Sequence, residues 1–199
     1  MSDLAKIPFI LFTMILTENY VLVQFLGICP FLGVSQNLSS SLGMSGAVIF
    51  VMTLASAATW AIYTYLMVPF GLEYLSTIIF ILVIAALVQL VEIAMKKFLP
   101  PLYKALGIYL PLITTNCAVL AVTLLNIDEG YGFLPAVADG FGAGVGFALA
   151  LVLFCGVRKA LDRARPPKAF EGLPITLVAA AFTSMAFMGF SGMAESLFG

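Results

Sequence analysis

Two cysteines, Cys29 and Cys117, each close a half-polar, helix-weakening run inside an otherwise apolar stretch of membrane length. The first run is Phe25-Leu26-Gly27-Ile28-Cys29-Pro30-Phe31 and the second is Leu110-Pro111-Leu112-Ile113-Thr114-Thr115-Asn116-Cys117. A thiolate beside unwound backbone in a bilayer is a place to hold a soft metal or a metal–sulfur cluster. The chain has no histidine, so any metal site must use sulfur or oxygen. Two thiolates are half of what a [2Fe–2S] cluster takes, and the other pair would have to come from another subunit. Zinc fits the same geometry but offers no reason for burial in a membrane, whereas an electron carrier does. The plainer reading of each cysteine is a small apolar core residue. For Cys155, in the unbroken run from Leu151 to Gly156, that plainer reading is preferred.

Membrane-spanning helices must position those residues. With 62% hydrophobic and 10% charged residues and a mean hydropathy of +1.13, the chain reads as an all-α integral membrane protein. Apolar runs near 8–29, 43–68, 74–95, 102–126, 134–157 and 172–195 each approach the roughly 20 residues that cross a hydrocarbon core. Residues 1–199 thus form a single membrane domain of six transmembrane helices, with almost nothing left for a soluble one. The first segment carries Glu18, Asn19 and Gln24 and lacks a basic flank, so it belongs to the fold rather than to a cleaved leader. A net charge of −1 argues against nucleic-acid binding. Three cysteines, all inside apolar spans, do not form a secreted disulfide framework.

Charge orients the spans. The connection after the third holds Lys96, Lys97 and Lys104, and that after the fifth holds Arg158, Lys159, Arg163, Arg165 and Lys168, whereas the opposite side has only Lys6. Positive residues stay inside, which puts both termini outside. The acidic Asp128-Glu129-Gly130 connection then falls outside, and Trp60, Tyr63, Tyr65 and Tyr74 form an outer aromatic belt.

At an offset of 97 residues, Thr17, Asn19, Gly43, Val48, Phe50 and Leu54 fall on Thr114, Asn116, Gly140, Val145, Phe147 and Leu151. Repeat one covers about 8–95 and repeat two about 102–195. Each has three spans, an odd number, so the two must enter the membrane from opposite sides as an inverted-topology repeat. Helices one and four are then broken near the midplane, where Pro111 removes a donor and Thr114, Thr115 and Asn116 can satisfy freed backbone. Glu18 is a carboxylate inside a span and hence a functional candidate. With Asn19, Gln24, Thr114, Thr115 and Asn116 it offers oxygen ligands for a hard cation, or else support for the broken backbone. The Gly140, Gly142, Gly144, Gly146 run predicts close helix packing rather than a nucleotide loop.

Several of these stretches carry a family likeness. Glu18-Asn19, Phe25-Leu-Gly-Ile-Cys29-Pro-Phe-Leu-Gly-Val-Ser35, Tyr103-Lys-Ala-Leu-Gly-Ile-Tyr-Leu-Pro-Leu-Ile-Thr-Thr-Asn-Cys117-Ala-Val-Leu, Asp139-Gly-Phe-Gly-Ala-Gly-Val-Gly-Phe147 and Met188-Gly-Phe-Ser-Gly192 resemble the A subunits of the Rnf ion-translocating ferredoxin:NAD oxidoreductases. The resemblance runs nearly end to end. The E subunit of the sodium-translocating NADH:quinone oxidoreductase shares the plan, but Cys-Pro-Phe and Thr-Thr-Asn-Cys are closer to the Rnf form. A secondary transporter with an inverted repeat is a further alternative.

The resemblance implies one component of a redox-driven translocase that is not catalytic alone. It implies a bacterial or archaeal inner membrane, pairing in opposite orientation with the homologous E subunit, and assembly with the B, C, D and G subunits. Cys29 and Cys117 would supply half of an intramembrane [2Fe–2S] cluster shared with E, while flavins and further iron–sulfur clusters reside in other subunits. Electrons would cross the membrane through the shared cluster, driving Na⁺ or H⁺ movement. Ser35 is followed by Gln36-Asn37 where the family pattern suggests a lysine pair, a departure at the first inner loop.

Overall fold

A computed structural model describes residues 3–98, 110–161, 163, 167 and 170–189. Lys104, Arg165, Lys168, Tyr103 and the end of the Met188-to-Gly192 motif lie outside the described residues.

Every regular element described is helical, as apolar spans in lipid require, because a helix satisfies its backbone internally. Helix α1, Asp3–Phe12, runs into a π-helical turn at Thr13–Thr17. An irregular stretch, 18–27, separates it from the short α2, Ile28–Val34. Helix α3, Leu38–Ile62, continues through a second π turn and ends at Phe70 before Gly71 at φ +63°. Helix α4 spans Ser76–Phe98. The second half comprises α5 (Leu110–Thr114), α6 (Cys117–Asp128), α7 (Phe133–Leu161) and α8 (Leu173–Met188).

Leu38–Phe70, Ser76–Lys97 and Phe133–Leu161 are long and apolar enough to cross a bilayer, and Ile7–Thr17, Leu112–Asp128 and Leu173–Met188 are shorter apolar helices. Both expected interruptions are present, but the first begins earlier than its glycine and proline suggest. It lies at 18–27, and Pro30 sits in the first turn of α2. A proline there loses no helical donor and presets φ, so it starts the half-helix rather than breaking it.

The core is the α3–α7 contact, the most extensive between any two helices, and these are the two that the 97-residue offset relates. Glycines of α7 make it possible by presenting two faces. A Cβ at Gly140 would strike Ser56 and the Met52 carbonyl, and one at Gly144 would stand 2.8 Å from the Ile49 Cα, both on α3. A Cβ at Gly142 would meet Leu11, and one at Gly146 would lie 2.8 Å from the Met14 carbonyl, both in the first segment. The glycine run is therefore a packing device, as expected. Gly144→Ala should lower stability by about 1–3 kcal/mol, the usual penalty of overpacking. Gly46→Ala, in α3 with nothing within 4 Å of the added carbon, should instead raise it by about 0.5–1 kcal/mol through helix propensity. Unfolding midpoints in one detergent compare the two.

Trp60 is only partly exposed; its Nε1 donates to the Tyr131 carbonyl at 2.9 Å, and its ring meets Phe133 edge-on at 5.3 Å. It thereby ties the end of α3 to the α6–α7 connection and places the two turns at one end of the molecule.

Candidate functional site

Both interruptions are built around an asparagine. Asn19 is fully buried; its Oδ1 accepts from the Val21 and Leu22 amides at 3.1 and 3.3 Å. Its Nδ2 donates to the carbonyls of Gly146 at 2.8 Å and Ile15 at 3.2 Å. Asn116 is also buried, and its Oδ1 accepts from the Ala118 amide at 3.0 Å, capping α6. In each case the side chain binds the amide two residues on, the local bond that competes with continued helix. Asn19 and Asn116 are also one of the pairs that the 97-residue offset relates.

The two interruptions touch. Gly27, at φ +77°, lies so close to the second that a Cβ there would be 2.8 Å from the Asn116 Oδ1 and 3.2 Å from the Ala118 Cβ. Cys29 is the second residue of α2, two past this contact, and Cys117 is the first residue of α6, between the two residues contacted. Both thiols are exposed in the isolated chain. Cys155 is buried and only 1% exposed, which agrees with its reading as a core residue.

Three anchors fix the cysteine-bearing half-helix. The Arg158 Nη1 donates to the Leu32 carbonyl at 2.7 Å and to the Ser35 hydroxyl at 2.9 Å, satisfying one of the carbonyls at the C-terminal end of α2. Phe31 stacks on Phe154 of α7 with ring centroids 4.4 Å apart. The Ser184 hydroxyl of α8 donates to the Leu22 carbonyl inside the interruption. Arg158 brings positive charge to the Gln36-Asn37 corner, where the sequence lacks lysines. The interruption also holds Phe25 at φ +58° while its ring is exposed. A bulky residue in this region of backbone space is strained and persists only where its surroundings enforce it.

Thr114 is partly buried and Thr115 is exposed beside Asn116. Glu18 and Gln24 are exposed and pair at 3.4 Å through Gln24 Nε2 and Glu18 Oε2. They face a different neighbourhood from the cysteines, a polar cavity of about 280 Å³ that they share with Tyr20, Glu129, Tyr131 and Asp139. Asp139 was not among the residues that the sequence singled out for ion chemistry, although a carboxylate in an apolar span is itself a signal.

Comparison with known proteins agrees with this architecture. The family model described as Rnf-Nqr subunit, membrane protein, matches residues 8–194. The A subunit of the Na(+)-translocating ferredoxin:NAD(+) oxidoreductase complex of Acetobacterium woodii is 55% identical over 93% of this chain and 96% of its own length. The A subunit of the ion-translocating oxidoreductase complex of Azoarcus is 56% identical over 89% of this chain and 92% of its own. Its counterpart from Syntrophotalea carbinolica is 53% identical over 92% and 95%. The chain belongs to the Rnf-Nqr family of membrane-protein subunits, alongside proteins named as A subunits of ion-translocating oxidoreductase complexes.

Proposed function

We propose that this chain is the A subunit of a redox-driven, Na⁺- or H⁺-translocating ferredoxin:NAD⁺ oxidoreductase, with Cys29 and Cys117 holding one half of a [2Fe–2S] cluster whose other half is held by the homologous E subunit. The observation that carries this reading is the abutment of the two interruptions, which puts both cysteine-bearing half-helices at one place with their thiols exposed.

The donor set fits such a cluster. The third thiol is buried in α7 and the chain has no imidazole, so two thiolates come from this chain and two remain for a partner. The Nδ2 of Asn116 is buried without a hydrogen-bond partner among the described residues, one position before Cys117. An amide donor left bare in that place suits an anionic sulfur group, since buried donors otherwise find partners. When bound, the cluster supplies one-electron transfer between carriers on the two sides of the membrane.

This chain's part is to hold the two thiolates at fixed positions. Asn19 and Asn116 terminate the helices where the thiols must emerge, and Arg158 and Phe31 lock α2 against α7. The close α3–α7 packing makes a rigid frame that reorganises little when charge changes. Phe25, Thr115, Cys29 and Cys117 are exposed, and the E subunit would seat over them in opposite orientation, across two inverted repeats of three spans each.

The test is low-temperature electron paramagnetic resonance with iron and sulfide quantification on the purified A–E pair. Two irons and two sulfides per pair with a reduced [2Fe–2S] signal are expected. A well-folded pair without iron would overturn the reading.

A further inference from the structure

The cavity beside the first interruption collects negative charge at the end of the molecule that carries Trp60 and the α6–α7 connection. Glu18 reaches it from the interruption, Glu129 from the connection and Asp139 from α7, with Tyr20, Tyr131 and Gln24 completing its polar wall. None of the described residues that line it is basic. Glu129 is exposed, whereas Asp139 is only 1% exposed. The seventh residue of α7, Asp139 lies about 9 Å along the axis from the helix start. Its Oδ1 is buried without a hydrogen-bond partner among the described residues. A bare carboxylate oxygen at such a site is costly unless a proton or a cation satisfies it.

We propose that this cavity is a cation vestibule of the translocation path, in which Glu129 and Glu18 attract a small hard cation and Asp139 is its innermost ligand. The inference rests on the ion-translocating reading above and deepens it by assigning residues to the path. Among the described residues, no three acidic, cysteine or histidine side chains stand close enough to chelate a metal ion together. The cation is therefore held by Asp139 with part of its water, which suits an ion that must leave again. The cavity has room for several waters, and Gln24 and the two tyrosines offer further oxygens. Na⁺ and a hydrated proton share this chemistry, and the experiment separates them.

The whole complex in proteoliposomes is assayed for turnover against Na⁺ at constant pH, and in parallel against pH at constant Na⁺. Asp139→Asn preserves shape and removes the charge. It is expected to raise the cation concentration for half-maximal turnover by about tenfold or more in one of the two series, the scale of losing a charged ligand. The series that moves identifies the ion. Asp139→Glu should recover part of the affinity, because it restores the carboxylate. Glu129→Gln should give about a twofold shift at low ionic strength that vanishes in molar choline chloride, where the screening length falls to about 3 Å. Wild-type half-saturation of Asp139→Asn in both series overturns the proposal. Loss of the intramembrane cluster signal in Asp139→Asn would also overturn it, by showing that Asp139 supports the fold. A wild-type complex that moves neither ion would overturn the pump reading itself, and the vestibule with it.

Discussion

Cys29→Ser and Cys117→Ser are each expected to abolish the intramembrane [2Fe–2S] signal while leaving the protein folded. Serine keeps the size of cysteine but replaces a soft, readily ionised thiol with a hard hydroxyl, so under the proposed assignment each substitution would remove one of four ligands without opening a cavity. Both thiols are exposed in the isolated chain. Each change should therefore shift the stability of the chain by no more than about 0.5 kcal/mol, as is usual for surface substitutions. Cys155→Ser should behave in the opposite way. Its side chain is buried against the core of α7, so the hydroxyl should cost about 1–3 kcal/mol while the cluster signal is retained. Spin quantification on the A–E pair and detergent unfolding of the isolated chain give the two readouts for all three variants. A signal that survives in Cys29→Ser or Cys117→Ser would remove that residue from the ligand set.

Gly27→Ala should be strongly destabilising although it adds only a methyl group. An L-residue in the left-handed region costs about 1–2 kcal/mol, and Gly27 sits at φ +77°. The new Cβ would also stand 2.8 Å from the Asn116 Oδ1, an atom already engaged in capping α6 through the Ala118 amide. Space cannot come from elsewhere, because the Ala118 Cβ at 3.2 Å and the Phe147 ring at 3.4 Å close the other sides. The methyl must push Asn116 away, and Cys117 is the next residue. A loss of about 2–4 kcal/mol is expected, the sum of left-handed strain and a lost cap, together with a weakened or shifted cluster signal. Asn116→Ala costs its own cap but vacates that space, so the double variant should be less destabilised than the two single losses added. Simple additivity would show that the two interruptions do not press on each other.

The Gly144 variant in α7 and the vestibule variants at Asp139 test different links of the same chain. Gly144→Ala acts on the frame and should be read in stability. Asp139→Asn acts on a cavity and should be read in ion dependence, with the cluster as the control for the fold.

What the sequence determined by itself follows from properties that need no neighbour. Composition marked a membrane protein, apolar runs picked out the three helices long enough to cross a bilayer, and the glycine run announced close packing. The 97-residue offset picked out Asn19 and Asn116 before either was seen to cap an interruption. The cysteines stood out because a thiol beside helix-weakening residues is conspicuous in any apolar segment.

What the tertiary structure alone decided concerns atoms that meet across helices. The start of the first interruption depends on Asn19 reaching Gly146, 127 residues away, which a local reading of Gly27 and Pro30 cannot register. That the Trp60 indole meets the Tyr131 carbonyl, on a different segment, could not be read from its place at the end of a span. Asp139 received no role of its own from the sequence, and only packing shows that its carboxylate is enclosed, without a partner for its Oδ1 among the described residues, and grouped with Glu18 and Glu129. The physical reason is the same in each case. Hydropathy and periodicity record how much of a residue is removed from water or lipid, whereas hydrogen-bond partners and cavities are set by which distant surfaces the packed helices bring together.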